Sequence, residues 1–147
     1  MWKLKTDERL AHWREFRKKL DNVDLSQAAQ LVSEYWASCP FTPYYLDIEN
    51  PQSWPDPWTM IEENYYCDIA KSLGMLYTIK FTKHNPSIEL RVYYDPESRS
   101  CYNLAWIDDG KYVLNMVDRE VVNKAQIAKH LELRNCYGEQ ELKMNSY

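Results

Sequence analysis

Between Trp54 and Gly74 the chain carries signals for the start, body and end of a helix, and no other stretch constrains the fold as strongly. In Trp54-Pro55-Asp56-Pro57-Trp58, Asp56 is placed to cap a helix through its carboxylate. Pro57 then falls at the first helical position, where a missing N–H costs nothing. Trp58, Ile61, Tyr65, Ile69 and Leu73 follow at spacings of three and four, which makes one apolar face. Gly74 stands where a helix takes a left-handed terminal residue. Leu76 to Thr82 comes next and is rich in strand formers. The pattern predicts one helix from Pro57, a stop at Gly74, and a strand over 76–82.

Two helices are expected before it. Residues 6–20 place Asp7 and Glu8 in a first turn and Arg17, Lys18 and Lys19 in a last one, as the helix dipole favours. Leu10, Trp13, Phe16 or Arg17, and Leu20 give the apolar stripe. Asp24 with Gln27 forms a capping pattern for a second helix to about Ala37, and the short connection predicts a helical hairpin over 1–37. From 38 to 57 the prolines Pro40, Pro43, Pro51, Pro55 and Pro57 forbid a long regular element. Phe41, Tyr44, Tyr45, Leu46, Ile48 and Trp54 make the same stretch too apolar for a free linker. It reads as an ordered loop across the body of the domain, and loops of this length often carry function.

Beyond the central helix, strands are expected at 76–82, 88–94, 101–107 and 111–117, with the hairpin signal Asp109-Gly110 between the last two. Val121 and Val122 extend a further short piece. Asn123 with Gln126 gives another capping pattern, so a C-terminal helix is expected over 124–133, followed by a polar tail over 135–147 that is loosely held except at Tyr137, Leu142 and Met144. The fold class that follows is α+β: a single domain of 147 residues in which an antiparallel meander of about four strands packs against a central helix.

A net charge of −4 and an isoelectric point near 5.4 argue against electrostatic binding to nucleic acid. Arg14, Arg17, Lys18 and Lys19 are the local exception, and a helix C-terminus accounts for them. No apolar run is long enough to span a bilayer, and residues 1–8 contain no signal-peptide core, so a cytoplasmic chain is expected. Cys39, Cys67, Cys101 and Cys136 are too widely spaced for a zinc ribbon and read as reduced thiols. Asp95 with Glu97, and Asp108 with Asp109, are carboxylates in turns, their usual place. Glu89-Leu90-Arg91 only approaches a nuclease-like pattern, and the three glycines are isolated, so no phosphate loop exists. Neither cofactor nor metal is expected. Twelve tyrosines and six tryptophans point instead to a contact surface, since these rings are enriched at interfaces. Phe41, Tyr44, Tyr45, Trp54 and Trp58 are its candidates.

The catalytic alternative centres on Cys67. A reactive cysteine needs a helix N-terminus or a neighbouring base. In a helix starting at Pro57, Cys67 lies about three turns in, and His12, His84 and His130 are the available bases, with His84 in the turn after the first expected strand. A helix bearing Cys67, a strand containing Leu104-Ala105-Trp106, and Leu114-Asn115 on the next resembles the papain and transglutaminase-like layout. Cys67 takes the nucleophile position, Leu104 the histidine position of a His-x-Trp motif, and Asn115 the third position. The resemblance covers Cys67 to Asn115 and, with leucine in the histidine position, implies a non-catalytic member. The overall character of the chain also resembles small accessory proteins of tailed bacteriophages. That likeness implies a virion structural or assembly part, or a factor aimed at a host protein. The expectation is a non-catalytic protein that works by contact with other proteins or with copies of itself. Cysteine-dependent acyl transfer or hydrolysis is the alternative, and a small-ligand pocket between the proline-rich loop and the sheet is a third.

Overall fold

The capping signals hold. Asp24 Oδ1 accepts the amide of Gln27 at 2.8 Å, and Asp56 Oδ1 accepts that of Thr59 at 2.8 Å. In the computed structural model, which describes residues 1–43 and 45–143, the first two helices are α1 (Thr6–Leu20) and α2 (Leu25–Trp36). They meet at Phe16 and Tyr35, whose rings stack at 3.8 Å.

The expected central helix is two helices, α3 (Pro57–Glu63) and α4 (Asp68–Lys80). Asn64 is left-handed (φ 58°, ψ 38°) and closes α3 with a bond from its amide to Met60 O. Asparagine tolerates that conformation better than most residues. The buried Arg9 on α1 completes the stop. Its Nε donates to Ile61 O at 3.1 Å and its Nη2 to Glu62 O at 2.8 Å, so two carbonyls left open at the end of α3 are satisfied by a side chain. The chain then runs extended through Tyr66, which bridges to Phe41, and restarts as α4.

Gly74 is therefore no terminal residue. It lies within α4 because the Trp36 ring packs on it: a Cβ there would stand 2.3 Å from Trp36 Cη2. Nor is 76–82 a strand. Ser72 to Ile79 are all buried, held between α1 and α2 on one side and the sheet on the other, and a helix enclosed all round shows no polar face to mark it. Ser72 and Thr78 are the buried hydroxyl residues of this helix. The Thr78 hydroxyl donates to Gly74 O at 2.6 Å and accepts the indole N–H groups of Trp13 at 2.9 Å and Trp36 at 3.0 Å.

The α+β class is as expected, with a five-stranded antiparallel sheet: β1 (Ile88–Asp95), β2 (Ser100–Ile107), β3 (Tyr112–Leu114), β4 (Val121–Val122) and β5 (Glu132–Tyr137), in the order β4-β3-β2-β1-β5. The hairpin at 108–110 joins β2 to β3 through three consecutive positive-φ residues, with Ile107 opposite Tyr112. Ile88, Leu90, Ala105, Ile107 and Leu114 join the main core, while Leu104, Trp106 and Val113 form a smaller cluster of their own.

The helix expected over 124–133 is a single 3-10 turn, Lys124–Gln126. Its capping box forms, with Asn123 and Gln126 bonded reciprocally, yet the turn goes no further. The following residues become β5, which pairs with the open edge of β1 and satisfies its backbone groups. In the polar tail, the two described residues expected to be held, Tyr137 and Leu142, are docked, and Met144 lies outside the described residues. Tyr137 Oη donates to Ile48 O at 2.6 Å, and Leu142 is buried. Among the described residues no helix is long and apolar enough to cross a membrane.

Candidate functional site

The break between α3 and α4 creates a groove at the start of α4. Thr42 N donates to Tyr66 O at 2.9 Å, which lays the proline-rich segment beside the restart. The groove has a volume of about 310 Å³. Phe41, Pro43, Leu46 and Ile69 form its apolar wall, and Cys67, Asp68 and Asn103 its polar end. Phe41 is 72% exposed at the lip. Tyr65, which the helical periodicity placed on a buried face, is 54% exposed because the helix is interrupted there. The Tyr45 ring lies 6.1 Å from that of Tyr65, and its hydroxyl donates to the Glu63 carboxylate.

The aromatic run thus divides. Phe41 stands at the groove, and Tyr45 packs beside Tyr65. Trp54 is only 1% exposed, donates its Nε1–H to Asp47 O at 2.8 Å, and meets the Tyr137 ring edge-on. It is a core residue and presents no contact surface. Trp58 is half-buried, with Trp13 at 6.2 Å on one side and Phe81 at 5.4 Å on the other. Tyr44 lies outside the described residues.

At the polar end Asp68 and Asn103 join Ser72 and Asn115 in a hydrogen-bond network. Asp68, the first residue of α4, accepts the Asn103 amide on Oδ2 at 2.8 Å and the Asn115 amide on Oδ1 at 3.1 Å. A carboxylate in a helix's first turn is favoured by the dipole. Asn115 Nδ2 also reaches Ser72 Oγ at 2.8 Å and Asn103 O at 3.0 Å, and the Ser72 hydroxyl donates to Asn103 O. Asn115 is left-handed (φ 69°) just past β3, and its side chain reaches α4. Burial pushes the Cys39 thiol up to about 11, with the Lys71 charge opposing, so that thiol stays protonated near neutrality.

Cys67 is not three turns into a helix. It is the N-cap of α4, buried, with its side chain making no capping bond. The restart moves it to the positively polarised end. His84 does not accompany it: its Nε2 lies 2.9 Å from Leu20 O, past the opposite end of α4, which at about 1.5 Å per residue is roughly 20 Å away. His12 meets Tyr35 Oη at 2.8 Å, and His130 lies beside Asp95, so none of the three histidines lines the groove. Leu104, matched to the family's histidine position, is buried in the smaller cluster with Trp106 and Val113. Its neighbour Asn103 is the β2 residue that reaches α4, because successive residues of a strand face opposite ways. Asn115 does arrive at the start of α4.

The periodicity concealed Tyr65, and nothing in the sequence singled out Asp68, Ser72 or Asn103. The available signal was a serine inside an apolar helix and an asparagine inside a strand. No protein-family model matches this chain, and no curated protein matches it in sequence.

Proposed function

We propose that this is a non-catalytic protein that binds another protein through the groove lipped by Phe41. The setting that goes with this reading is that of a bacteriophage virion or assembly component, or of a phage factor that contacts a host protein. The observation that carries the binding reading is the exposure of Phe41 beside an apolar groove, in a molecule whose other large rings are mostly packed away. Exposed aromatics at the rim of an apolar recess are the usual anchors of protein contact. The occupant we favour is a partner segment that carries an apolar side chain next to a lysine or arginine. Asp68 is the groove's charged lining residue, and a net charge of −4 disfavours a second copy of the chain.

Selection of a random peptide library against the intact protein tests this. Apolar-basic sequences should be retained by the wild type and lost on Phe41→Ala. Asp68→Asn should relax the preference for the basic residue. Equal retention by wild type and Phe41→Ala would sink the reading. Self-association in sedimentation that is abolished by Phe41→Ala would replace the foreign partner with a second copy.

One observation favours the enzymatic alternative, a cysteine-dependent acyl transferase or hydrolase: Cys67 sits at a helix N-cap, with Asn103 and Asn115 bound to the adjacent Asp68. Against it stands the lack of a histidine in the groove lining. Iodoacetamide labelling separates the two. Slow labelling of Cys67 in the native protein fits the binding reading, and fast labelling that persists at mildly acidic pH fits the enzyme.

A further inference from the structure

The β1–β2 turn and the loop entering β5 meet at one end of the sheet, and each brings side chains that can bind a metal. Asp95 ends β1 opposite Ser100. Its Oδ1 accepts the amides of Glu97 at 2.9 Å and Ser98 at 3.4 Å, which fixes the carboxylate. Glu97 projects from the same turn. His130 arrives from the other side, next to the buried Leu131 and two residues before Glu132 pairs with Tyr94. Its Nε2 lies 3.3 Å from Asp95 Oδ1 and 3.8 Å from Glu97 Oε2.

We propose that Asp95, Glu97 and His130 form a binding site for a divalent first-row transition ion of the zinc class. Each residue offers one ligand atom, and these atoms all lie within 4.8 Å of one another. Ligands about 2.0–2.2 Å from a shared ion, at tetrahedral or octahedral angles, are themselves about 3–3.6 Å apart, so the arrangement needs little movement to close. Charge points the same way. Two carboxylates and a neutral imidazole sum to −2, which a divalent ion balances. Among the described residues, neither carboxylate is ion-paired with a lysine or arginine. An imidazole with carboxylates suits zinc, cobalt or nickel better than magnesium or calcium, which take oxygen ligands. The His130 and Glu97 side chains are 43% and 78% exposed, which leaves an entry path and room for water to complete the shell.

The rival is a plain histidine–carboxylate ion pair. The test is calorimetric titration of the intact protein with Zn²⁺ and Co²⁺ near neutral pH. It is run in a Cys101→Ser, Cys136→Ser background, because both thiols are exposed and could bind the ion themselves. The expected result is one ion per chain, with affinity at least about tenfold weaker in His130→Ala and in Glu97→Gln and unchanged in His84→Gln. Cobalt should give a visible d–d band without the thiolate charge-transfer band of cysteine ligation. His130 and Glu97 are exposed, so both variants should fold, and circular dichroism checks this. Absence of binding, binding indifferent to His130→Ala, or binding lost with the two cysteines would each overturn the proposal.

Discussion

Trp54 and Phe41 belong to one proline-rich stretch and look equivalent in the sequence, yet one is 1% exposed and the other 72%. Trp54 has a partner for its indole N–H and an aromatic neighbour in Tyr137, a residue 83 positions further along. Phe41 is held by its backbone, through the bridge to Tyr66, and its ring is left over. Prolines and aromatics therefore mark a segment that will be ordered, not which of its rings will face outward. That depends on which distant residues arrive to cover them.

The largest effect that would test the contrast is on the core side. Trp54→Ala should lower stability by about 3–5 kcal/mol, the range for deleting a buried ring, measured by urea unfolding. A loss below about 1 kcal/mol would place Trp54 with the exposed residues.

Thr78→Val comes next. It keeps the shape and removes the acceptor shared by the Trp13 and Trp36 indoles, and the expected cost is about 2–4 kcal/mol, since two buried N–H groups lose their partner. Thr78→Ser should recover most of it, and a serine variant as unstable as the valine would mean that packing, not the hydroxyl, is what matters.

Gly74→Ala follows and carries a decision of sign. In an open helix the change would stabilise by about 1 kcal/mol through propensity. Here the added methyl meets the Trp36 ring, so a net loss of about 1–3 kcal/mol is expected from overpacking. A rise in midpoint would show that Trp36 can move aside.

The smallest effect is expected at the exposed rings. Phe41→Ala and Tyr65→Ala should each change stability by no more than about 0.5 kcal/mol, as exposed side chains away from structural features do. Their consequence should appear in binding alone. If either destabilised the chain as Trp54→Ala does, the difference between core and exposed rings would disappear.

Much of the candidate site could not be read from the sequence. The residues around Cys67 were visible, but its place was set by Asn64 and by an arginine on α1 that takes the last carbonyls of α3. Local pattern continued one helix across 57–73 because Trp58, Ile61, Tyr65, Ile69 and Leu73 keep the spacing. An interruption that depends on a side chain 52 positions away from Ile61 leaves no periodic trace. Asn115 was named for its place in the chain, and it reaches α4, while Leu104 belongs to the other cluster because strand alternation is decided by register.

What the sequence determined by itself was local. Asp24, Asp56 and the Asn123–Gln126 pair bond their own neighbouring amides, so caps three residues long can be read without knowing the rest of the fold. The α1 and α2 segments, the β1–β2 and β2–β3 hairpins, and the α+β class follow from such short-range rules. The tertiary structure alone decided the rest. Residues 76–80 became helix because they are enclosed on every side, and enclosure removes the polar face by which a helix is recognised. Residues 132–137 became β5 because β1 had an unpaired edge, and a strand edge recruits whatever chain can reach it.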